Sequence, residues 1–324
     1  MRESDALHAR VRRFIEGASD ESFDALARDL ASFQARHIEP LARLPRGVAL
    51  PTDVFRLRRV AAHPESEDER CFFTSGTTQA LAGKHAMRTT ATYRLAALTW
   101  ARARLFPSLE VRLVALVPSE KQAPHSSLTF MLARFAEELG GASWHFDGER
   151  LDVDGIVRAC RSGEPLLVAG TSFAFVHLLD ALGDTTLPLA RGSRVMHTGG
   201  FKGRSRSVEP SALRKSIAQL FDLAESSVIG EYGMTELSSQ LYQGAGMGYD
   251  APPWVQVSAV DPETLEPVAG EGLARIVDLA NVDSAVAIQT SDIVRVMDDG
   301  AVELLGRAAG ATPRGCSLAL EHLL

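Results

Sequence analysis

A cluster of small polar residues could bind phosphate, and it comprises Thr74, Ser75, Gly76, Thr77 and Thr78. Glycine lets backbone amides approach an anion closely, and neighbouring hydroxyls can donate hydrogen bonds to phosphate oxygens. Lys84 follows closely and could neutralise phosphate charge. The spacing differs from the GxxxxGK[ST] pattern of a P-loop. The cluster therefore indicates either a phosphate-binding loop or a plain polar turn after the apolar pair Phe72-Phe73.

Three further segments carry residues that suit nucleotide chemistry. The first reads Gly-Glu-Tyr-Gly-Met-Thr-Glu over residues 230–236, at the end of a predicted strand. The others are Asp292, which follows Thr-Ser, and the pair Gly306-Arg307. Each has an ordinary structural alternative. Glu236 could favour a helix N-terminus, Tyr232 could pack in a core, and Asp292 and Arg307 could be a turn residue and a surface ion-pair partner.

Taken in order along the chain, the four segments resemble the signature loops of the adenylate-forming superfamily. That superfamily includes acyl-CoA synthetases, luciferases and peptide-synthetase adenylation domains. The resemblance implies that the loop at residues 74–78 wraps the phosphates of ATP. It also implies that Tyr232, followed by Gly233, contacts the adenine, that Thr235 contacts the α-phosphate, and that Glu236 binds Mg²⁺.

The resemblance assigns the two remaining segments to the ribose. Asp292 would hold the ribose hydroxyls and Arg307 would also reach them. One position departs from the common pattern, because Gln79 stands where a glycine usually follows the second threonine. Most superfamily members also continue into a C-terminal domain that carries a catalytic lysine, and we expect no counterpart of it before the chain stops at Leu324.

Within the superfamily, the chain looks most similar to the acyl-protein synthetases, the fatty-acid-activating components of bacterial bioluminescence. The residues that carry this likeness are the segments 197–203 and 314–318. In that branch the activated acyl group passes to a cysteine near the C-terminus and then to a partner reductase. The resemblance places Cys316 in the role of acceptor. A small apolar residue packed beside Leu318 is the alternative for the same cysteine.

Adenylation joins two anions, so the site must supply positive charge and fixed hydrogen-bond donors. The candidate cations are Lys84 and Lys202. We favour Lys202, because it follows a Gly-Gly turn after a predicted strand, where active-site loops emerge in open α/β sheets. An exposed loop lysine without a catalytic role is the alternative.

Three functions remain open on these residues. The first is activation of a carboxylic acid with ATP and Mg²⁺, followed by transfer to Cys316 and on to an acyl-accepting reductase or carrier protein. The second ends instead on coenzyme A or on the phosphopantetheine of a carrier protein. The third is a nucleotide-binding subunit without catalysis, which Gln79 and the missing lysine suggest.

The apolar pattern predicts an α/β fold with a large, mainly parallel sheet and helices on both faces, followed by a small β-rich subdomain. Residues 1–50 read as two amphipathic helices, Ala6 to Glu16 and Glu21 to His37, and a connection. Buried strands then alternate with helices up to about residue 250. Residues 251–324 contain short alternating segments separated by turns, including 285–290 and 293–297 as separate strands.

Bulk composition excludes several other classes of protein. With 45% hydrophobic and 23% charged residues, the chain has the composition of a globular enzyme. Its net charge of −7 argues against nucleic acid as a partner. No apolar run approaches the length of a membrane span. Three cysteines without metal-ligand spacing favour a reducing, cytoplasmic setting. If the chain forms a homo-oligomer, we expect the N-terminal helices to make the contact.

Overall fold

The computed structural model describes residues 2–45, 47–74, 82–106, 110–146, 150–199, 209–244, 246 and 248–308. The chain divides into two compact units. One unit combines Met1–Thr99 with Met234–Leu324, and we call it the split unit; the other, Trp100–Gly233, is the continuous unit. The predicted division of the chain after residue 250 stays a prediction.

The helices and strands follow one another in the order expected for an α/β fold with a β-rich C-terminal part. The α-helices are α1 (Glu3–Ile15), α2 (Phe23–His37), α3 (Glu39–Ala42), α4 (Val54–Leu57), α5 (Ala91–Arg104), α6 (Ser127–Glu138), α7 (Val153–Cys160), α8 (Ser172–Leu182) and α9 (Pro210–Phe221). The strands are β1 (Leu50–Pro51), β2 (Arg70–Phe73), β3 (Lys84–Met87), β4 (Arg112–Leu116), β5 (Ala142–Trp144), β6 (Leu166–Thr171), β7 (Arg194–Thr198), β8 (Val228–Tyr232), β9 (Leu241–Gln243), β10 (Tyr249–Asp250), β11 (Val255–Val260), β12 (Glu271–Asp278), β13 (Ala287–Val296) and β14 (Val302–Arg307).

The continuous unit contains a parallel sheet with the strand order β8-β7-β6-β4-β5. Its strands are short apolar runs because both faces are covered. Alternate residues of the strands, including Val114, Val168 and Val195, share one hydrophobic core with α7, α8 and α9. The intervening residues, such as Leu113 and Leu167, are equally buried and point to the opposite face, and α6 contacts β4. These observations confirm the predicted parallel sheet with its helices.

The split unit is built mainly from antiparallel strands. Its main sheet follows the order β11-β12-β13-β14-β10-β9, and β1 pairs with β13 in parallel. Strands β2 and β3 form a separate antiparallel ribbon. The prediction of separate strands at 285–290 and 293–297 was wrong, because β13 runs through both. The polar stretch around Asp292 suggested a turn, but Asp292 pairs with Arg307 of β14 inside the ladder.

The N-terminal part differs from the sequence prediction in its details. Helices α1 and α2 are confirmed, and the Ser22 hydroxyl accepts a hydrogen bond from the Ala25 amide at the start of α2. The predicted connection that follows these two helices contains α3 and begins β1. Residues 84–87 form β3, and α5 begins at Ala91. Across the described residues, no helix combines the length and apolarity that a membrane crossing requires.

Candidate functional site

The polar loop at residues 74–78 begins with Thr74, directly after β2. Thr74 forms hydrogen bonds with Gly83, which directly precedes β3. The Thr74 amide donates to the Gly83 carbonyl (2.9 Å), and the Gly83 amide donates to Thr74 Oγ1 (2.8 Å). A Cβ atom at Gly83 would lie 3.0 Å from the Thr74 methyl carbon, which explains the glycine. The Thr74 hydroxyl accepts from Gly83, so its own hydrogen stays available to a ligand.

Several predicted site residues lie outside the described residues. They are Ser75, Gly76, Thr77, Thr78, Lys202 and Cys316. Their roles stay predictions. Lys84 is described: it begins β3, pairs with Phe73 and is exposed. Its Nζ atom lies 5.7 Å from the centroid of the Phe73 ring, beside the base of the loop.

Thr235 contacts both strands of the ribbon that carries the loop. Its hydroxyl makes a long hydrogen bond of 3.4 Å to the Phe73 carbonyl, and its carbonyl oxygen lies 2.7 Å from Nδ1 of His85. Because a carbonyl only accepts, Nδ1 carries the hydrogen. Burial lowers the pKa of His85 to about 4, so the ring is neutral at physiological pH. The structure therefore brings the Thr235 segment to the base of the Ser/Thr/Gly loop.

Glu236 follows in a turn whose backbone is held by buried polar side chains. Its own side chain is buried, and its carbonyl oxygen accepts a hydrogen bond from Asn281 Nδ2 (2.9 Å). Neither Asn281 nor His85 had been singled out as a site residue. Both are single polar residues in partly apolar stretches. No spacing rule connects them with a motif that lies 45 or 150 positions away in the chain.

Asp292 and Arg307 are direct neighbours across β13 and β14. The guanidinium Nε of Arg307 lies 3.6 Å from Asp292 Oδ1. Arg307 is 62% exposed and Asp292 is 20% exposed, so the pair contributes little to stability. The two segments that the family resemblance assigns to one ribose are thus neighbours on the surface of the split unit.

A second polar cluster lies at the carboxyl ends of the parallel strands of the continuous unit. The Thr198 hydroxyl donates to the carboxyl of Glu231, and burial raises the pKa of Glu231 to about 7. His197 Nδ1 lies 3.1 Å from Ser172 Oγ, while its buried Nε2 has no hydrogen-bond partner. Burial lowers the pKa of His197 to about 4. This edge is where open α/β sheets bind ligands.

Tyr232 and Gly233 follow directly on this cluster. Tyr232 is the last residue of β8 and is half-buried, and Gly233 ends the continuous unit. The expected contact of these two residues with adenine stays a prediction. Cys71 and Cys160 are free thiols. Burial raises the pKa of Cys71 to about 11 and that of Cys160 to about 12, so neither is a thiolate near neutral pH.

Among the described residues, no three His, Cys, Asp or Glu side chains form a group that could hold a metal ion. This arrangement does not conflict with Mg²⁺ beside a nucleotide. Magnesium in such sites uses one or two carboxylates and takes its other ligands from phosphate oxygens and water. Glu236 alone could provide the protein carboxylate.

Several solved structures have a similar fold. ATP-bound MatB from Rhodopseudomonas palustris aligns with a TM-score of 0.55 at 14% identity, over 76% of this chain and 49% of that one. The luciferase-like enzyme of the mealworm Zophobas morio gives 0.54 at 14% identity, over 74% and 58%. The Bacillus subtilis O-succinylbenzoate coenzyme A synthetase, solved with ATP and magnesium, gives 0.52 at 14%, over 73% and 49%. At these identities the likeness concerns the fold.

Sequence comparison identifies nearer relatives. A long-chain-fatty-acid–luciferin-component ligase of Aliivibrio fischeri is 27% identical over 197 residues, which are 55% of this chain and 52% of that protein. The corresponding ligase of Vibrio harveyi is 22% identical over 304 residues, 88% of this chain and 79% of that protein. The chain therefore spans about half of the length of the first relative. The family model described as acyl-protein synthetase, LuxE, matches residues 47–324. The chain belongs to the acyl-protein synthetase (LuxE) family, which confirms the resemblance seen in its motifs.

Proposed function

We propose that the protein uses ATP and Mg²⁺ to activate a carboxylic acid as an acyl-adenylate and then transfers the acyl group to a thiol. The observation that carries the proposal is the double contact of Thr235 with Phe73 of β2 and His85 of β3. These are the two strands between which the Ser/Thr/Gly loop lies in the sequence. Two segments far apart in sequence are therefore able to face one triphosphate. The names of the two curated relatives point to a long-chain fatty acid as the substrate.

In the first half-reaction, the acid's carboxylate attacks the α-phosphorus and pyrophosphate leaves. Since both reactants are anions, donors fixed in advance are the main catalytic resource. The Thr74 hydroxyl keeps its hydrogen for a phosphate oxygen, and the Thr235 hydroxyl would exchange its long hydrogen bond to the Phe73 carbonyl (3.4 Å) for one to a phosphate oxygen. The hydroxyls and amides of residues 75–78 would add further donors. Glu236 would bind the Mg²⁺ that neutralises charge on the phosphates. Lys84 or Lys202 would add a positive charge.

The exposed pair of Asp292 and Arg307 would bind the ribose. A carboxylate accepts hydrogen bonds from the two vicinal hydroxyls of a ribose, and a guanidinium donates to their oxygens. Arg307 can turn toward a ligand at small cost because it is mostly exposed and its contact with Asp292 is long. Tyr232 and Gly233 keep their proposed place at the adenine.

In the second half-reaction, a thiolate attacks the acyl carbonyl and AMP leaves, which forms a thioester. We propose Cys316 as this thiol and a reductase or carrier protein as the next acceptor. The two described cysteines are poor competitors, because the raised pKa values of Cys71 and Cys160 keep them protonated. Transfer to coenzyme A or to phosphopantetheine is the competing outcome.

The experiment is ATP–pyrophosphate exchange with a panel of fatty, aryl and amino acids. We expect exchange with long-chain fatty acids. ATP binding without exchange for every acid would contradict ligase activity and favour a nucleotide-binding subunit. A radiolabelled acid then tests the thiol. The Cys316→Ser variant should still exchange pyrophosphate but lose the label on the protein, whereas unchanged output to coenzyme A would exclude Cys316 as the acceptor.

A further inference from the structure

A buried loop contacts the turn that contains Glu236, and we call residues 279–286 the 279–286 loop. It connects β12 to β13, and each of its residues is buried. Loops are normally exposed, because buried backbone groups need hydrogen-bond partners. The hydrogen-bond partners of the loop residues show which segments of the chain the loop holds in place.

Asn281 joins the loop to the turn that contains Glu236. Its Nδ2 donates both to the Glu236 carbonyl (2.9 Å) and to the Ala285 carbonyl within the loop (2.9 Å). Its Oδ1 accepts from the hydroxyl of Ser238 (2.6 Å). One side chain thus fixes both the residue proposed to bind Mg²⁺ and the second residue after it.

Asp278 fixes the next part of the same turn. Its carboxylate accepts from the Ser238 amide (2.9 Å), the Ser239 hydroxyl (2.8 Å) and the Ala280 amide (3.0 Å). The indole of Trp254 donates to Ser239 Oγ (3.0 Å), so the serine's hydrogen is directed to Asp278. These directional bonds leave residues 236–239 little freedom to shift.

The N-terminal helices hold the other side of the loop. Gln34 of α2 donates to the carbonyls of Asn281 (2.7 Å) and Val282 (3.0 Å) and accepts from the Val286 amide (2.9 Å). His8 of α1 binds Asp283 through Nε2 (2.8 Å). Both helices precede the residues that the family model matches. The loop is therefore bound by α1 and α2 as well as by the turn.

We infer that Asn281 is a positioning residue for Mg²⁺-ATP: through the Glu236 carbonyl and Ser238 it sets where the Glu236 carboxylate lies. This inference rests on the proposed function. Glu236 is the only carboxylate that we assign to the metal. Residues that orient a metal ligand typically change metal affinity or activity 10- to 100-fold when they are replaced.

The decisive variant is Asn281→Asp, which keeps the size and the acceptor for Ser238 but removes both amide donors. Ser284→Ala is the matched control. It removes a buried hydrogen bond from the same loop to the Val60 carbonyl (3.1 Å), away from the turn. We expect Asn281→Asp to raise the Mg²⁺ concentration for half-maximal pyrophosphate exchange by about 10-fold or more. Ser284→Ala should lower the melting temperature and leave that Mg²⁺ concentration unchanged.

Equal Mg²⁺ dependence in the wild type and in Asn281→Asp would overturn the inference, as would an equal shift in both variants. If Asn281→Asp does not fold, Asn281→Ala decides, because it removes the donor to the Glu236 carbonyl without adding a charge; an unchanged Mg²⁺ dependence then refutes the inference. Calorimetric binding of ATP with Mg²⁺ separates the two proposals. A wild type that binds Mg²⁺-ATP without exchange refutes the ligase function, while the affinity of Asn281→Asp still tests the positioning role.

Discussion

The split unit and the continuous unit each bury a carboxyl group, which belongs to Asp278 in the first and to Glu231 in the second. The two groups differ in the hydrogen bonds that they accept. Asp278 in the split unit accepts hydrogen bonds from two backbone amides and one hydroxyl. Glu231 in the continuous unit receives a hydrogen bond from the Thr198 hydroxyl. Burial raises the pKa of Asp278 to about 6 and that of Glu231 to about 7.

The two units therefore fix their buried polar groups in different ways. Where a backbone turn must keep one geometry, the split unit uses directional hydrogen bonds to an ionised side chain. The continuous unit is stabilised by its apolar core, which fixes the position of the sheet. Glu231, at the edge of that sheet, accepts fewer of the hydrogen bonds described above than Asp278 does. Residues near such an edge are then free to respond to pH or to a ligand.

The largest effect on stability should come from the apolar core of the continuous unit. Phe175 of α8 is fully buried in the cluster that α8 shares with β4, β6 and β7. We expect Phe175→Ala to lower the free energy of unfolding by about 3–5 kcal/mol, measured by denaturant titration. A loss below about 1 kcal/mol would show that packing does not dominate this unit.

The turn of the split unit should respond in activity rather than in stability. We expect Glu236→Gln to reduce pyrophosphate exchange by about 100-fold or more, because the metal loses its anionic ligand while the side chain keeps its size. Excess Mg²⁺ should recover part of the loss. Full activity in this variant would exclude Glu236 as the metal ligand.

Glu231 should make stability depend on pH. Its pKa is raised from about 4.5 in the unfolded state to about 7 in the folded state, so folding takes up a proton between about pH 4.5 and pH 7. The stabilisation is therefore complete below about pH 4.5 and is lost as the pH rises through 7. The shift corresponds to about 3 kcal/mol over that interval. Glu231→Gln should lack this slope in denaturation curves at pH 5 and pH 8; an unchanged slope would assign it to another group.

The smallest effect on stability is expected at the exposed pair of β13 and β14. Arg307→Ala should change the free energy of unfolding by less than about 0.5 kcal/mol, because an exposed ion pair contributes little. The same variant should raise the KM for ATP by roughly 10-fold, since one charged contact to the ribose is lost. A large loss of stability with an unchanged KM would show that Arg307 is structural.

The sequence was most informative where the physics is local or periodic. The alternation of buried strands with helices predicted the parallel sheet of the continuous unit, and the period of three to four predicted α1 and α2. The strand β13 was split in the prediction, because Thr290 and Asp292 resemble a turn until a partner strand pairs with them. A ladder partner from another part of the chain overrides the local pattern.

The candidate site was predictable as a set of motifs but not as a geometry. The motif order indicated which segments should meet, and Thr235 does contact the ribbon that carries the polar loop. His85, Asp278 and Asn281 could not be found in this way. Their roles depend on burial and on a partner distant in sequence, and neither property leaves a periodic or spaced signal.

We propose that the Ser/Thr/Gly loop and the Glu236 turn bind one triphosphate. A crystal structure of the protein with Mg²⁺ and α,β-methylene-ATP tests it most directly. We expect the loop following Thr74 and the side chains of Thr235 and Glu236 to contact the same triphosphate and its metal ion. A nucleotide bound elsewhere, with these two segments facing separate cavities, would contradict it.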